Sequence, residues 1–351
     1  MKRVPKIFLY RLGSDPEFLY VRKADLDYII TPANTILGKD KNKTTKSFIG
    51  TDSRPVIAEI RPSPCRNLKR HMYDLAYALH TSQQYIDEKH SGLEMFAQPY
   101  LSNETLGGHI HMSGFIACPT YRKLASLGYT INKENNFHPL GGEQLTVTPS
   151  LQTEVINGLN TQQILSPYTW GQVINFMMKP FEFWIQPWVQ RERRNQHYGG
   201  PSSNDNVRLG PSKAPWHSDH GAYIHWEYRM PSTWLQHPWL AYAYLGLFKW
   251  TVLNLRQVSE AYFDSNPGNK HEDQPMQPDP DFHNFHPIRG AENEKNYRQL
   301  RDRIQLMQNR NNILTPDITD LFKVIEQCGE MREAWFAQSK VIDVAAWRRL
   351  L

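Results

Sequence analysis

Cysteine is scarce in this chain, and its distribution does not indicate a disulfide framework. Only three cysteines occur among 351 residues, and Cys65, Cys118 and Cys328 are far apart. An odd number of widely spaced cysteines excludes the paired pattern of small secreted domains and the closely spaced pairs of a zinc knuckle. The sequence therefore predicts free thiols in a reducing compartment.

The chain also lacks long apolar runs and a strong excess of one charge. No stretch approaches the ~20 apolar residues needed to span a bilayer, and the first residues lack the apolar run of a signal peptide. The formal net charge is only +5 and is spread along the chain. This favours a phosphate-bearing small molecule as readily as a nucleic acid. We expect a soluble, cytoplasmic protein with no membrane span and no nucleic-acid partner, and the oligomeric state stays open.

Apolar and aromatic residues are plentiful, at 40% and 12% of the chain, which is enough for a large core. We predict a main domain over residues 1–262, a loop rich in Pro, Asp and His over 263–291, and a C-terminal helical appendage over 292–351. Apolar residues at helical intervals predict further helices at 68–90, 173–194 and 234–262.

Four short segments alternate between apolar and ionic residues in the two-residue period of a strand. Each presents an apolar side suited to packing against helices. Pro16 predicts a strand edge, bulge or start, because proline cannot donate to a central ladder. The ionic sides carry Asp15 and Glu17, Glu59 and Arg61, His109 and His111, and Tyr223, His225, Glu227 and Arg229.

The simplest interpretation is an antiparallel sheet with one solvated face. Such a face usually carries Lys, Thr, Ser and Gln, whereas here it carries acids, histidine and arginine. If the strands share a sheet, three or four carboxylates would repel one another unless cations sit among them. Oxygen-rich ligands with one imidazole suit Mg²⁺ or Mn²⁺ better than structural zinc. Arg61, Arg208 and Arg229 would suit phosphate oxygens, so the pattern favours phosphoryl transfer.

Each candidate residue also has a structural interpretation. Glu59 and Glu227 would form ion pairs with neighbouring arginines, His111 would be a hydrogen-bonded core histidine, and the acids flanking Pro16 would lie in a turn. His225 shares the face of Glu227 and is expected to support a ligand rather than to be one.

Two motifs resemble the glutamine synthetase superfamily. Gly107 to Ser113 is similar to its Gly-x-His-x-His strand, and Ile224 to Pro231 is similar to its later Glu-x-Arg-x-Pro strand. The opening Gly-Ser-Asp-Pro-Glu-Phe, the Gly-Thr-Asp and Glu-Ile-Arg-Pro segments, and Arg193-Arg194 before Tyr198-Gly199 resemble a narrower branch. That branch is the phage and bacterial carboxylate–amine ligase family, and the resemblance covers roughly residues 7 to 260.

The resemblance implies an α+β fold, in which a curved antiparallel sheet with helices on its outer face holds divalent metals against the phosphates of ATP. It implies metal ligation by Glu17, Glu59, His109 and Glu227, with Asp15 as a further ligand. By the same resemblance, His111 and Arg229 would contact the nucleotide phosphates, and Arg208 and Arg61 would contact phosphate or a substrate carboxylate.

The function that these patterns favour is an ATP- and Mg²⁺-dependent, ADP-forming ligase. It would activate a carboxylate as an acyl phosphate and condense it with an amine, with Asp52 or Asp219 assisting deprotonation of the amine. The carboxylate and the amine would belong to small molecules or peptides. A guanidino or amine phosphotransferase on the same fold, and a nucleotide-binding relative without catalysis, are the alternatives.

Overall fold

A computed structural model provides the fold. It describes residues 6–24, 27–37, 48–52, 54–102, 104–117, 129–131, 137–139, 167–185, 207–210, 217–218, 221–265, 291–308, 318–335 and 341–351. Several predicted features lie outside the described residues, namely Cys118, Arg193-Arg194, Tyr198-Gly199, Asp219 and most of the predicted loop at 263–291.

The described strands build one large antiparallel sheet and two small hairpins. The nine-stranded sheet has the order β11-β13-β8-β1-β4-β3, with β2 and β5 added on β1 and β12 added on β13. The strands are β1 (Lys6–Ala24), β2 (Asp27–Thr31), β3 (Ile49–Thr51), β4 (Ala58–Ile60), β5 (Leu93–Phe96), β6 (Tyr100–Leu101), β7 (Glu104–Thr105), β8 (Gly108–Ala117), β9 (Tyr129–Ile131), β10 (Phe137–Pro139), β11 (Val207–Gly210), β12 (His217–Ser218) and β13 (Gly221–Tyr228).

The described helices agree in place with the apolar periodicity of the sequence. One predicted helix, at 234–262, is divided in two at Asn254, whose backbone N–H bonds back to the carbonyls of Trp250 and Val252. The helices are α1 (Ala33–Leu37), α2 (Leu68–Lys89), α3 (Pro167–Ile185), α4 (Pro238–Leu253), α5 (Leu255–Ser265), α6 (Ala291–Gln308), α7 (Ile318–Glu333) and α8 (Val344–Arg348). No helix in the described part of the chain is long and apolar enough to cross a membrane.

The sheet has one face covered by helices, as its alternating pattern predicts. Leu12, Phe18 and Tyr20 of β1 are buried on that face, and Tyr20 Oη lies 2.8 Å from Ser82 Oγ of α2. On β13, the Tyr228 hydroxyl donates to Asn175 Oδ1 of α3. Since side chains alternate along a strand, Asp15 and Glu17 of β1, His109 and His111 of β8, and Glu227 of β13 face the other way. The predicted α+β fold with an antiparallel sheet and helices on one face is confirmed.

Pro16 is not at the start of a strand but in the middle of β1. One side of β1 has no ladder partner at Pro16 among the described residues, so the proline takes an edge position rather than a central ladder position, as the sequence predicts. It sits opposite Gly108 of β8 in the middle of β1. The N–H of Glu17 donates to Gly107 O on the β8 side, so the nitrogen of Pro16 points to the opposite side. On that side, Leu12 pairs with Cys65 and Glu17 pairs with Glu59. Pro16 lies between them and has no ladder partner among the described residues. The missing donor therefore breaks no ladder hydrogen bond.

The C-terminal helices contribute to the same hydrophobic core as the sheet. Leu300 of α6 and Ile325 of α7 are fully buried in the core cluster that also contains Leu12. Trp347 of α8 is fully buried, and its Nε1–H donates to Leu235 O at 2.7 Å. The described part of the predicted appendage thus shares its core with the main domain.

Candidate functional site

Four ionic side chains meet where β1, β8 and β13 lie side by side. The register places Asp15 opposite His109, and His111 opposite Glu227. His111 Nε2 lies 2.9 Å from Asp15 Oδ2, while His109 Nδ1 lies 3.5 Å from both Asp15 Oδ1 and Glu227 Oε1. One ligand atom from each of Asp15, His111 and Glu227 falls within 4.8 Å of the others. Residues more than two hundred positions apart therefore form one cluster.

Two further acids extend this cluster across the sheet. Glu17 of β1 lies opposite Glu59 of β4, and the two residues are 3% and 4% exposed. The carboxyl group of Glu17 accepts a hydrogen bond from the N–H of Gly107, which ties it to the start of β8. All the acids predicted as metal ligands thus lie on one face of the sheet, together with His109.

The predicted arginines flank the acids from both sides. Arg229 Nε lies 3.3 Å from Glu227 Oε1 beyond β13, and the Arg61 guanidinium pairs with Glu59 beyond β4. Arg61 also donates to the backbone carbonyl of Thr51 at 3.4 Å. Arg208 lies in β11 opposite Glu227 in the strand register. The face therefore carries acids and histidines in the centre and guanidinium groups at its margins.

The charges of the cluster perturb one another strongly. Burial and the neighbouring Asp15 raise the pKa of Glu59 to about 9, although Arg61 acts in the opposite direction. Burial also opposes ionisation of Asp15, yet His111 and His109 outweigh it and hold the pKa of Asp15 well below its usual value. Burial acts to lower the pKa of His111, but Asp15 and Glu227 outweigh it, so that pKa is raised. A buried carboxyl group such as that of Glu59, whose pKa is raised by burial and by a neighbouring acid, fits a site that a cation would stabilise.

The two glycines before His109 are required by close contacts. A Cβ on Gly107 would lie 2.4 Å from Nε2 of His109, so the imidazole packs directly over this backbone. A Cβ on Gly108 would lie 2.4 Å from Ser232 O and 2.5 Å from the indole of Trp234. A side chain at Gly107 would displace the imidazole of His109, and one at Gly108 would displace the backbone at Ser232. The Gly-Gly pair therefore lets β8 pack against the segment that follows β13.

That segment is held to the site by backbone and side-chain hydrogen bonds. The N–H of Gly108 donates to Pro231 O, and the indole of Trp234 donates to Gly108 O, both at 2.9 Å. The hydroxyl of Thr233 donates to Glu17 O at 2.6 Å. The segment that follows β13 thus fixes the backbone positions of Glu17 and β8 together.

The sequence reasoning missed Glu182, which anchors this segment from α3. It is 2% exposed, Oε1 accepts the N–H of Ser232 at 3.0 Å, and Oε2 accepts the hydroxyl of Tyr244. A sequence signal existed, because Glu182 is an acid between Phe181 and Phe183 in an apolar helix. An acid in such a run is rarely buried without partners.

The cluster has the donor chemistry for a divalent cation. Asp15, Glu227 and His111 offer two carboxyl groups and one imidazole within reach of one another, and oxygen-rich sets of this kind suit Mg²⁺ or Mn²⁺. Glu17 and Glu59, opposite each other on β1 and β4, add two buried carboxyl groups on the same face, which is a second observation in favour of a cation. The margins, with Arg61 and Arg229, suit oxyanions.

The first third of the chain is similar to a family of ligases. Residues 12–126 match the family described as "Phage phiEco32-like COOH.NH2 ligase-type 2". The matched range contains Asp15, Glu17, Glu59, His109 and His111. The match confirms the resemblance to the carboxylate–amine ligases over this part of the chain. No curated protein matches the chain.

Solved structures similar to the chain are distant. A complex of the prokaryotic ubiquitin-like protein Pup with its ligase PafA has a TM-score of 0.49 at 9% identity, covering 96% of this chain and 67% of that one. Glutamine synthetase of Plasmodium falciparum has a TM-score of 0.41 at 10% identity, covering 95% and 74%. A bifunctional glutathione synthetase from Pasteurella multocida has a TM-score of 0.40 at 12% identity. The match covers 97% of this chain but only 48% of that one.

Proposed function

We propose that this protein is an ATP-dependent carboxylate–amine ligase whose centre is the acid and histidine face of the sheet. The observation that carries the proposal is the meeting of Asp15, His111 and Glu227 within 4.8 Å. These residues come from three strands, and two of them lie in the range that matches the ligase family. A structural ion-pair network would not require Glu17 and Glu59, two further buried acids, on the same face.

The acids and histidines would hold Mg²⁺ or Mn²⁺. Asp15, His111 and Glu227 are the first candidates, with Glu59, Glu17 and His109 adjoining them on the same face. A cation bound there would supply charge neutralisation for phosphate oxygens. Glu17 would also have a structural role, because its carboxyl group accepts a hydrogen bond from the N–H of Gly107 and so holds the start of β8 in register.

The arginines would bind and orient the phosphate and carboxylate groups of the substrates. Arg229 lies beside Glu227, and Arg61 beside Glu59, so each guanidinium is held by an acid of the same face. Holding the guanidinium groups in place beforehand reduces the reorganisation needed when a phosphoryl group is transferred. We propose that Arg208 takes part from β11, whose backbone adjoins Glu227.

The reaction follows from the weakness of a carboxylate as an electrophile. The carboxylate oxygen would attack the γ-phosphorus of ATP, the bond to the β-phosphate oxygen would break, and ADP would leave. The amine would then attack the acyl carbon, lose a proton and expel inorganic phosphate, giving an amide. Asp52 remains a candidate acceptor for that proton. The chain's own contribution is positioning and charge compensation.

The test is ATP turnover with mixed amino acids and amines as substrates, measured as release of ADP and phosphate. Glu227→Ala and His109→Ala should each lower the rate at least about a hundredfold, the usual cost of a lost electrostatic contact. Glu104→Ala is the matched control, because that side chain is also 22% exposed and pairs with an arginine, Arg54, outside the cluster. Wild-type turnover in Glu227→Ala would refute the assignment.

Product mass spectrometry distinguishes the rival functions. An amide product accompanied by phosphate supports the ligase. A phosphorylated amine without a condensation product would indicate a phosphotransferase. Nucleotide binding without any turnover, over a broad substrate panel, would indicate a relative without catalysis.

A further inference from the structure

A basic cavity that is open to solvent lies on the helix-covered side of the sheet, away from the acid cluster. Its volume is about 420 Å³, within the range of small-molecule pockets. Arg22 belongs to the end of β1 and lies seven residues from Asp15, which is about 20 Å along the strand. Arg22 is also on the opposite face, since even-numbered residues of β1 face the helices. The polar lining comprises Arg22, Thr31, Thr35, Lys89, His90 and Ser91.

The strand register explains why these side chains gather. In β1, Arg22 lies opposite Leu93 of β5, and the neighbouring Tyr20 lies opposite Thr31 of β2. All four side chains therefore point to the same face of the sheet. Leu93 forms an apolar part of the cavity wall.

The helical walls of the cavity are tied to each other. The ring of Tyr85 in α2 packs 5.7 Å from the ring of His90, and its hydroxyl donates to Ile36 O of α1 at 3.3 Å. Thr35 uses its own hydroxyl hydrogen on Pro32 O at 2.6 Å. The end of α2 and the short helix α1 thus form one wall of the cavity. Thr35 contributes to the surface of this wall but not a hydrogen-bond donor, because its hydroxyl hydrogen is already used.

The cavity carries positive charge that the described residues do not neutralise. Arg22 and Lys89 make no ion pair with any residue that the structure describes, and no acid lines the cavity. The nearest acid along β5, Glu94, lies opposite Val21 and so faces away. The carboxy-terminal end of α2 contributes about half a negative charge. Two full positive charges outweigh it.

We propose that this cavity binds a small molecule through a phosphate or carboxylate group, independently of the acid cluster. Arg22 offers a planar fork of donors that matches either oxyanion, and Lys89 adds a second positive charge. The hydroxyls of Thr31 and Ser91 add neutral donors. The volume exceeds that of a bare ion and accommodates a small organic anion.

Calorimetric titration of the full chain with pyrophosphate, and separately with citrate, tests the proposal and distinguishes the two sources of the oxyanion. We expect saturable binding of at least one of them. Arg22→Gln and Lys89→Gln should each weaken that binding about tenfold, the effect of one lost charge-assisted contact. Two separate cavity variants are used so that a folding defect in one of them would not leave the proposal without a test.

Lys23→Gln is the matched control. Lys23 is an exposed neighbour of Arg22 on the same strand, with its side chain on the opposite face, so its loss removes the same charge without touching the cavity. If the affinity fell equally in Lys23→Gln and Arg22→Gln, the loss would be explained by the change in net charge alone, and the proposal would be overturned. Binding that survives both cavity variants, or no binding of either anion, would overturn it as well.

Discussion

Removal of the Glu182 carboxyl group should destabilise the fold and loosen the candidate site together. Glu182 is the contact from α3 that holds Ser232 by its backbone N–H, and it also accepts the hydroxyl of Tyr244. In Glu182→Ala both donors remain in a buried environment without their acceptor. Ser232 adjoins Thr233, which bonds the backbone of Glu17.

The magnitude follows from the two donors. A buried donor left without its acceptor costs about 1–3 kcal/mol, so Glu182→Ala should lower the free energy of unfolding by about 2–6 kcal/mol. Tyr244→Phe removes only the hydroxyl and should cost about 1–3 kcal/mol by leaving Oε2 of Glu182 unsatisfied. In the double variant the hydroxyl and its acceptor are both absent, so only the N–H of Ser232 stays unsatisfied. Relative to the sum of the single losses, the double variant avoids two penalties, that of the unsatisfied Tyr244 hydroxyl and that of the unsatisfied Glu182 Oε2. It should therefore lose about 2–6 kcal/mol less than that sum.

Urea unfolding of the wild type, the two single variants and the double variant measures this coupling. Glu182→Gln is the conservative control, because its amide oxygen still accepts one hydrogen bond, and it should lose less than Glu182→Ala. If the two single losses add to within about 0.5 kcal/mol, the two side chains do not interact and the reasoning is refuted. A second readout is Mn²⁺ affinity, which Glu182→Ala should weaken if the Ser232 segment positions the site.

Two further predictions concern packing and pH. Gly108→Ala places a Cβ 2.4 Å from Ser232 O and should lower the free energy of unfolding, measured by thermal unfolding, by about 1–3 kcal/mol or more. Gly13→Ala is the control and should cost less, because the nearest atom to its Cβ lies at 3.4 Å. Equal losses in the two variants would contradict the packing argument. Burial lowers the pKa of His71 to about 4 from 6.5, so the unfolded chain binds more protons between these values and stability falls by about 3 kcal/mol as the pH drops through that window. His71→Gln should flatten the dependence of the unfolding free energy on pH between 4 and 6.5, and an unchanged slope would show that other groups dominate it.

The face that carries the candidate site could be predicted from the alternation of residues alone. Asp15 and Glu17 share a face, as do His109 and His111, because a strand repeats every two residues. The same argument placed Glu227 opposite its apolar neighbours. The long helix at 68–90 and the strand after Gly107 were predicted from local pattern within a few residues.

Other features depended on contacts between distant segments. From the sequence alone, Pro16 predicts the edge or start of a strand. Only the tertiary structure shows that it lies in the middle of β1, where one side of the strand is unpaired and no ladder hydrogen bond is lost. Glu182 was hidden in an apolar helix, because periodicity predicts that α3 is buried but not which residues it meets. His71 is likewise buried against Ser14 of β1, with its Nε2 2.8 Å from the Ser14 hydroxyl.

By itself, the sequence determined which side of each strand is ionic, because side-chain direction is a local property of the extended backbone. Tertiary structure decided which strands are neighbours and in what register, and therefore that His111 lies between Asp15 and Glu227. It also decided the charges, since the pKa of Glu59 reaches about 9 only through burial and the proximity of Asp15. Register and burial are set by the packing of the whole chain, which no short segment encodes.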